Sequence, residues 1–115
     1  MKKDLPDDEK IHDMHAGLCK MLSHPTRLKI LKQLEEEKKT VNEIAEIVET
    51  SQPTTSQHLG ELKKRGLVKA ERNGNNTFYS ITYPKILDAC EIIREVLFEQ
   101  LNETQEMLNR GENDD

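Results

Sequence analysis

Ser51-Gln-Pro-Thr-Thr-Ser-Gln-His-Leu59, followed by Leu62, Gly66 and Leu67, reads as the start of a short helix with one apolar and one polar side. Ser51 is placed to N-cap it. Pro53 fits the first turn, where backbone donors have no intrahelical partner. At roughly 100° per residue, Thr55, Leu59 and Leu62 share one side, and Thr54, Gln57, Glu61 and Lys64 lie on the other. A small-polar, amide-rich face at a helix N-terminus suits base edges in a DNA major groove. Gln, Ser and Thr offer donors and acceptors there without carrying a charge into the groove. An ordinary surface helix has a similar composition, so the neighbouring segments decide between the two.

Upstream, Thr40-Val-Asn-Glu43 is a capping-box sequence, in which Thr40 and Glu43 satisfy each other's backbone amides. Val41, Ile44, Ala45 and Val48 then recur at helical spacing, and only Glu49-Thr50 separates this helix from the next. Two short helices joined so tightly, the second bearing the polar face, predict a helix-turn-helix. Downstream, Gly66 is suited to end the helix in a left-handed conformation. Leu67–Arg72 and Thr77–Ile81 flank Asn73-Gly-Asn-Asn76, where Asn-Gly supplies the positive φ of a tight hairpin. A hairpin directly after a helix-turn-helix is a wing. Its tip, with Arg72, Asn73 and Asn75, is placed to reach a phosphate or the minor groove.

Three stretches, Leu22-Ser-His-Pro-Thr-Arg-Leu-Lys-Ile-Leu31, Ser51–Leu59 and Gly66-Leu-Val68, resemble the ArsR-type winged-helix repressors. The resemblance spans roughly residues 15–108, in matching order and spacing. It implies a symmetric homodimer on double-stranded operator DNA, released by a metal ion or a thiol-reactive signal. It also assigns Ser56 and Gln57 to the helix that reads bases, beside Gln52 and Thr54.

The rest of the chain fits around this centre. With 115 residues, 34% hydrophobic content and no Trp, it forms one domain with a thin core, expected over about residues 7–109 between flexible termini. The expected class is mostly α with a small β-hairpin wing: four helices, two strands and a fifth helix, dimeric through the first and fifth. The first helix runs from about Asp7 to Leu22, with an apolar stripe of Ile11, Met14, His15, Leu18, Met21 and Leu22. The second runs from Pro25 to about Glu36, with Leu28, Leu31 and Leu34 inward. Glu35–Lys39 is a charged connection. After Tyr83-Pro84 a last helix reaches about Asn109, roughly 38 Å long, with Ile86, Cys90, Ile93, Leu97, Leu101 and Leu108 along one side. Such a stripe predicts packing against the first helix and a second copy of itself. The start to Pro6 and the tail from Arg110 are expected to fray.

Charge supports a DNA partner only when it is mapped. The net charge is −5, yet residues 20–80 hold 11 basic and 8 acidic side chains, and residues 81–115 hold 3 and 9. Attraction to phosphate acts over a Debye length of roughly 8–10 Å, so the local excess matters more than the total. Lys63, Lys64, Arg65, Lys69 and Arg72 are the candidate phosphate contacts. No apolar run approaches a membrane span and no signal-peptide core precedes the domain, which predicts a cytoplasmic protein.

Two cysteines, Cys19 and Cys90, make no disulfide framework. The resemblance implies sensor positions that this chain lacks. Thr40 and Asn42 stand where the family's soft-metal Cys-x-Cys pair falls. The last-helix set reads Asp88, Cys90, Leu101 and Thr104, and Lys32 occupies the helix 2 position of a cysteine pair. What remains is His12, His15 and Cys19 on the first helix, with Cys90. Imidazole and thiolate suit zinc or a similar divalent metal. Equally, the thiols are small core residues and the histidines satisfied surface or interface groups. His24 reads as a substitute helix cap and His58 as a structural residue at the edge of the buried side.

No Gly-rich phosphate loop, His-Glu-x-x-His or nucleophile elbow suggests an enzyme. The alternatives to a signal-responsive repressor are a winged-helix DNA-binding regulator without a small-molecule signal, and a winged helix used to bind protein.

Overall fold

In the computed structural model, residues 8–114 are described; the expected frayed start to Pro6 lies outside them. The elements are α1 (Asp8–Met21), α2 (Pro25–Gln33), β1 (Lys39–Thr40), α3 (Val41–Val48), α4 (Gln52–Lys64), β2 (Val68–Asn73), β3 (Asn76–Ile81) and α5 (Lys85–Asp114). The order is that of a winged helix-turn-helix. One element was not foreseen: β1, two residues at the end of the charged connection. It pairs antiparallel with β3, Lys39 opposite Tyr79 and Thr40 opposite Phe78, so the sheet order is β1-β3-β2.

The predicted caps at Thr40 and Ser51 form, whereas His24 stands at the N-cap position of α2 but its side chain makes no cap bond, its imidazole lying against His58 instead. Thr40 Oγ1 accepts from the Glu43 amide at 3.3 Å, and the Glu43 carboxylate accepts from the Thr40 amide at 2.9 Å. The Thr40 amide foremost, then the Thr40 hydroxyl, which donates to the same carboxylate at 3.0 Å, hold the Glu43 carboxyl below its ordinary value. Ser51 Oγ accepts from the Thr54 amide at 3.2 Å. The α3–α4 turn passes through Glu49 in the left-handed region, φ 56°, the one described non-glycine with positive φ. Gly66 ends α4 at φ 78°. In the wing, Asn73 pairs with Asn76, so Gly74 and Asn75 are the central turn residues. Positive φ falls on Gly74 and not on Asn75. That is the requirement of a II′ turn rather than the I′ turn of an Asn-Gly centre.

The core sits where α2, α3 and α4 meet the base of the wing: Ile30, Leu31, Leu34, Ile44, Leu59, Leu62, Leu67 and Val68 are buried. Thr55 is buried too, its hydroxyl donating to the Ser51 carbonyl at 2.8 Å. Two expectations are corrected here. α2 stops at Gln33, short of Glu36, because Leu34 leaves the helical region as its C-cap. Its inward face is Ile30, Leu31 and Leu34, and Leu28 is exposed.

The chain divides into two compact units between Tyr83 and Pro84. α5, the second unit, is a single helix of 30 residues, roughly 45 Å long. It continues five residues past Asn109. The expected α1 stripe is not a core stripe within one chain. No α1 residue is buried, Ile11 and Met14 are exposed, and Leu18 and Met21 are half-buried.

Candidate nucleic-acid interface

α4 separates its two sides as its sequence requires. Thr55, Leu59 and Leu62 are wholly buried against α2, α3 and the base of the wing. Gln52, Thr54, Ser56 and Gln57 are exposed. No acidic residue stands in the first turn, and Lys63 and Lys64 occupy the last. The exposed N-terminal half therefore offers amides and hydroxyls without a negative charge. Thr54 Oγ1 accepts from the Ser51 hydroxyl at 2.9 Å, which orients it and leaves its own proton to donate.

The candidate cations differ in their surroundings. Lys64 stands 3.8 Å from Glu61, one turn back, with its ammonium largely in solvent. Arg72 folds toward the wing turn, its Nε donating to the Gly74 carbonyl at 3.4 Å. Asn73 and Asn75 are exposed at the same tip. Arg65 lies over Gly17 of α1, where a Cβ would come within 2.5 Å of its Nη2. Lys38 is engaged with the wing, 3.5 Å from Glu71 and 5.2 Å from the Phe78 ring centroid.

One polar cluster, between α2 and α4, was not found by sequence reasoning. Arg27 of α2 donates from Nε to His58 Nδ1 on α4 at 3.1 Å, and from Nη1 to the Met21 carbonyl at 3.1 Å and Met21 Sδ at 2.8 Å. His24, the N-cap of α2, stacks obliquely on His58, with ring centroids 6.0 Å apart. Burial, then the charge of Arg27, then His24 push the His58 imidazole below its ordinary value. The Arg within His-Pro-Thr-Arg and the His beside Gln57 were the available signals. Only the fold brings together two residues 31 positions apart.

The sensor candidates are dispersed. His12, His15 and Cys19 are exposed on α1, Cys90 is half-buried on α5, and both thiols are free. Among the described residues no three His, Cys, Asp or Glu groups come together to hold a metal ion. Spacing explains it for α1: seven positions separate His12 from Cys19, about 10.5 Å along the axis. No helix among the described residues is long and apolar enough to cross a membrane.

Comparison with known proteins places this geometry among regulators. The sequence model described as "Bacterial regulatory protein, arsR family" matches residues 24–70, from the α2 cap into β2. The uncharacterized HTH-type transcriptional regulator Rv0081 of Mycobacterium tuberculosis is 35% identical over 98 residues, covering 84% of this chain and 86% of its own. Its crystal structure superposes with a TM-score of 0.72 over 81% of this chain and 94% of that one. The biofilm growth-associated repressor of Xylella fastidiosa is 40% identical over 79 residues, 69% of each chain. A homodimeric winged helix-turn-helix DNA-binding domain from Mycobacterium bovis is 29% identical, with a TM-score of 0.71 over 87% of this chain and 94% of that one.

Proposed function

Because the chain belongs to the arsR family of bacterial regulatory proteins, a class of regulators and not of enzymes, we propose that it is a dimeric, sequence-specific transcriptional repressor in the cytoplasm. The observation that carries this is α4: a buried Thr55-Leu59-Leu62 side fixes the helix, and Gln52, Thr54, Ser56 and Gln57 are exposed on the other. α4 enters the major groove, Gln57 and its neighbours read base edges, and Lys64 and the wing residues Arg72, Asn73 and Asn75 hold the backbone.

The test is a retardation assay on duplex DNA from the region flanking the chain's own coding sequence, run at several salt concentrations. Gln57→Ala should cost on the order of 1–3 kcal/mol at one base position per half-site. Arg72→Ala should weaken all duplexes alike and reduce the salt slope by about 1. A Gln57→Ala protein as tight and as selective as the parent would mean that α4 does not read bases. Binding that ignores salt would favour a protein-interaction module.

Release from DNA is assigned to a thiol-reactive signal at Cys19 and Cys90. The exposure of Cys19 supports this. Modification would favour one setting of the two reading helices over another. The Cys19→Ser/Cys90→Ser double variant should bind the duplex as the parent does and stay bound in diamide or a persulfide donor. Release of the double variant by the same reagent would place the sensor elsewhere.

A further inference from the structure

Arg27 has five N–H donors and no acceptor. The His58 nitrogen that faces its Nε must therefore be unprotonated, and the His58 proton sits on Nε2. On its other side the guanidinium caps α1: Met21 is the last helical residue, and its carbonyl has no donor within the helix. One planar group thus bonds the end of α1 and the middle of α4, the two helices that hold a candidate thiol and the reading face. Arg65 over Gly17 gives α1 and α4 a second point of contact.

We propose that Arg27 is a positioning residue for the reading helix: through His58 it ties α4 to the end of α1, and acid opens the tie by protonating His58. The proposal rests on the DNA reading given above. A proton on Nδ1 removes the acceptor and sets one cation against another. The charged groups that act on His58 are Arg27 and His24, from α2 and its cap. Along α4 itself Glu61, one turn on, is engaged with Lys64. Arg27 is a cation and neither it nor His24 carries a negative charge, so nothing from that side compensates a charged His58. Gln57 is adjacent to His58 in sequence, so a shift of the helix at this point moves the reading side chains.

Two readouts test it, using the full chain. In the first, affinity for the flanking duplex is measured from about pH 7.5 to about pH 5.5. The parent should weaken by about tenfold or more on acidification, the effect of one hydrogen bond to a charged group. His58→Asn keeps an acceptor near the Nδ1 position that cannot take a proton, so it should bind with a flatter profile. Arg27→Met should bind about tenfold more weakly at neutral pH and lack the acid step. Arg27→Lys, which retains the charge but not the fork, should fall between, and serves if Arg27→Met fails to fold. Equal affinity of Arg27→Lys and parent, or an unchanged acid step in His58→Asn, overturns the positioning role.

The second readout needs no DNA. Nitrogen-15 spectra of the imidazoles should show His58 with a bare Nδ1 and a protonated Nε2, and Arg27→Lys should disturb that nitrogen. A protonated Nδ1 in the parent at neutral pH overturns the tie itself. A parent that binds no duplex overturns the DNA reading, and the role in DNA binding with it, while the spectra still decide whether the tie exists.

Discussion

His58 shows how one side chain couples stability to pH. Burial and the neighbouring Arg27 hold its folded-state pKa below the ordinary imidazole value. Between those two values the unfolded chain binds a proton that the folded chain declines. Stability is therefore complete above the ordinary range and declines as pH falls through the window toward the folded value. Thermal melts from about pH 8 to about pH 5, across the ordinary imidazole range, should show the parent losing more stability than His58→Asn. Equal losses would mean that the environment of His58 differs little between the folded and unfolded chain. Glu43 has the same direction of shift by a different cause, since the Thr40 amide and hydroxyl bind its charged form. As a carboxylate it acts in a lower range: its stabilising effect is present above the ordinary carboxylate value and is lost as pH falls through the depressed one. The two titrations thus separate along the pH axis.

Among the elements, the same backbone conformation has opposite consequences at two positions. Glu49 and Gly66 both end a helix at positive φ. Glu49 carries a Cβ there, at a cost of roughly 1–2 kcal/mol relative to a relaxed backbone, whereas Gly66 carries none. Glu49→Gly should therefore stabilise the domain by up to about 1 kcal/mol, after the extra entropy glycine loses on folding. Gly66→Ala should destabilise it by about 1–2 kcal/mol. A Cβ at Gly66 meets nothing within 4 Å, so the backbone alone would set that cost. Urea denaturation of both variants measures this; a shift of the same sign in both would sink the argument. Elements like these were legible because their signals are local. The Thr40 box, the Ser51 cap, Gly66 and the Asn-Gly hairpin each declare themselves within about five residues. β1 was not legible, because a two-residue strand has no periodicity and exists only through β3. The Arg27–His58 bond escaped for the same reason, as its partners meet only once α2 and α4 have packed. At the candidate interface the sequence separated the buried and exposed sides of α4. The same reasoning left open whether His12, His15 and Cys19 act with Cys90 or are surface and core residues, because the answer depends on what the rest of the assembly brings to α1.

At the scale of the whole molecule, the side chains left uncovered indicate what the chain alone does not complete. α5 exposes Ile93 by 66%, Leu97 by 48% and Leu101 by 56%, with Ile92, Val96 and Phe98 also open. α1 buries none of its residues. A contiguous apolar face of this kind on a chain with so small a core is a surface for association. The occupant we assign is a second copy of the chain, which would also set two α4 helices on successive half-sites of one duplex. Light scattering at micromolar concentration should then report twice the 13.3 kDa of the chain. Leu97→Asp should shift the protein toward monomer, because association would bury a carboxylate without a partner. Its helix should survive, since position 97 is half-exposed in the single chain and needs no partner to remain solvated. The monomeric variant should keep the melting behaviour of the first unit yet lose most operator affinity, because each α4 then binds without the effective concentration supplied by its twin. A Leu97→Asp protein that is still a dimer would move the interface away from this stretch of α5. A monomeric one that binds operator as tightly as the parent would show that a single winged helix suffices.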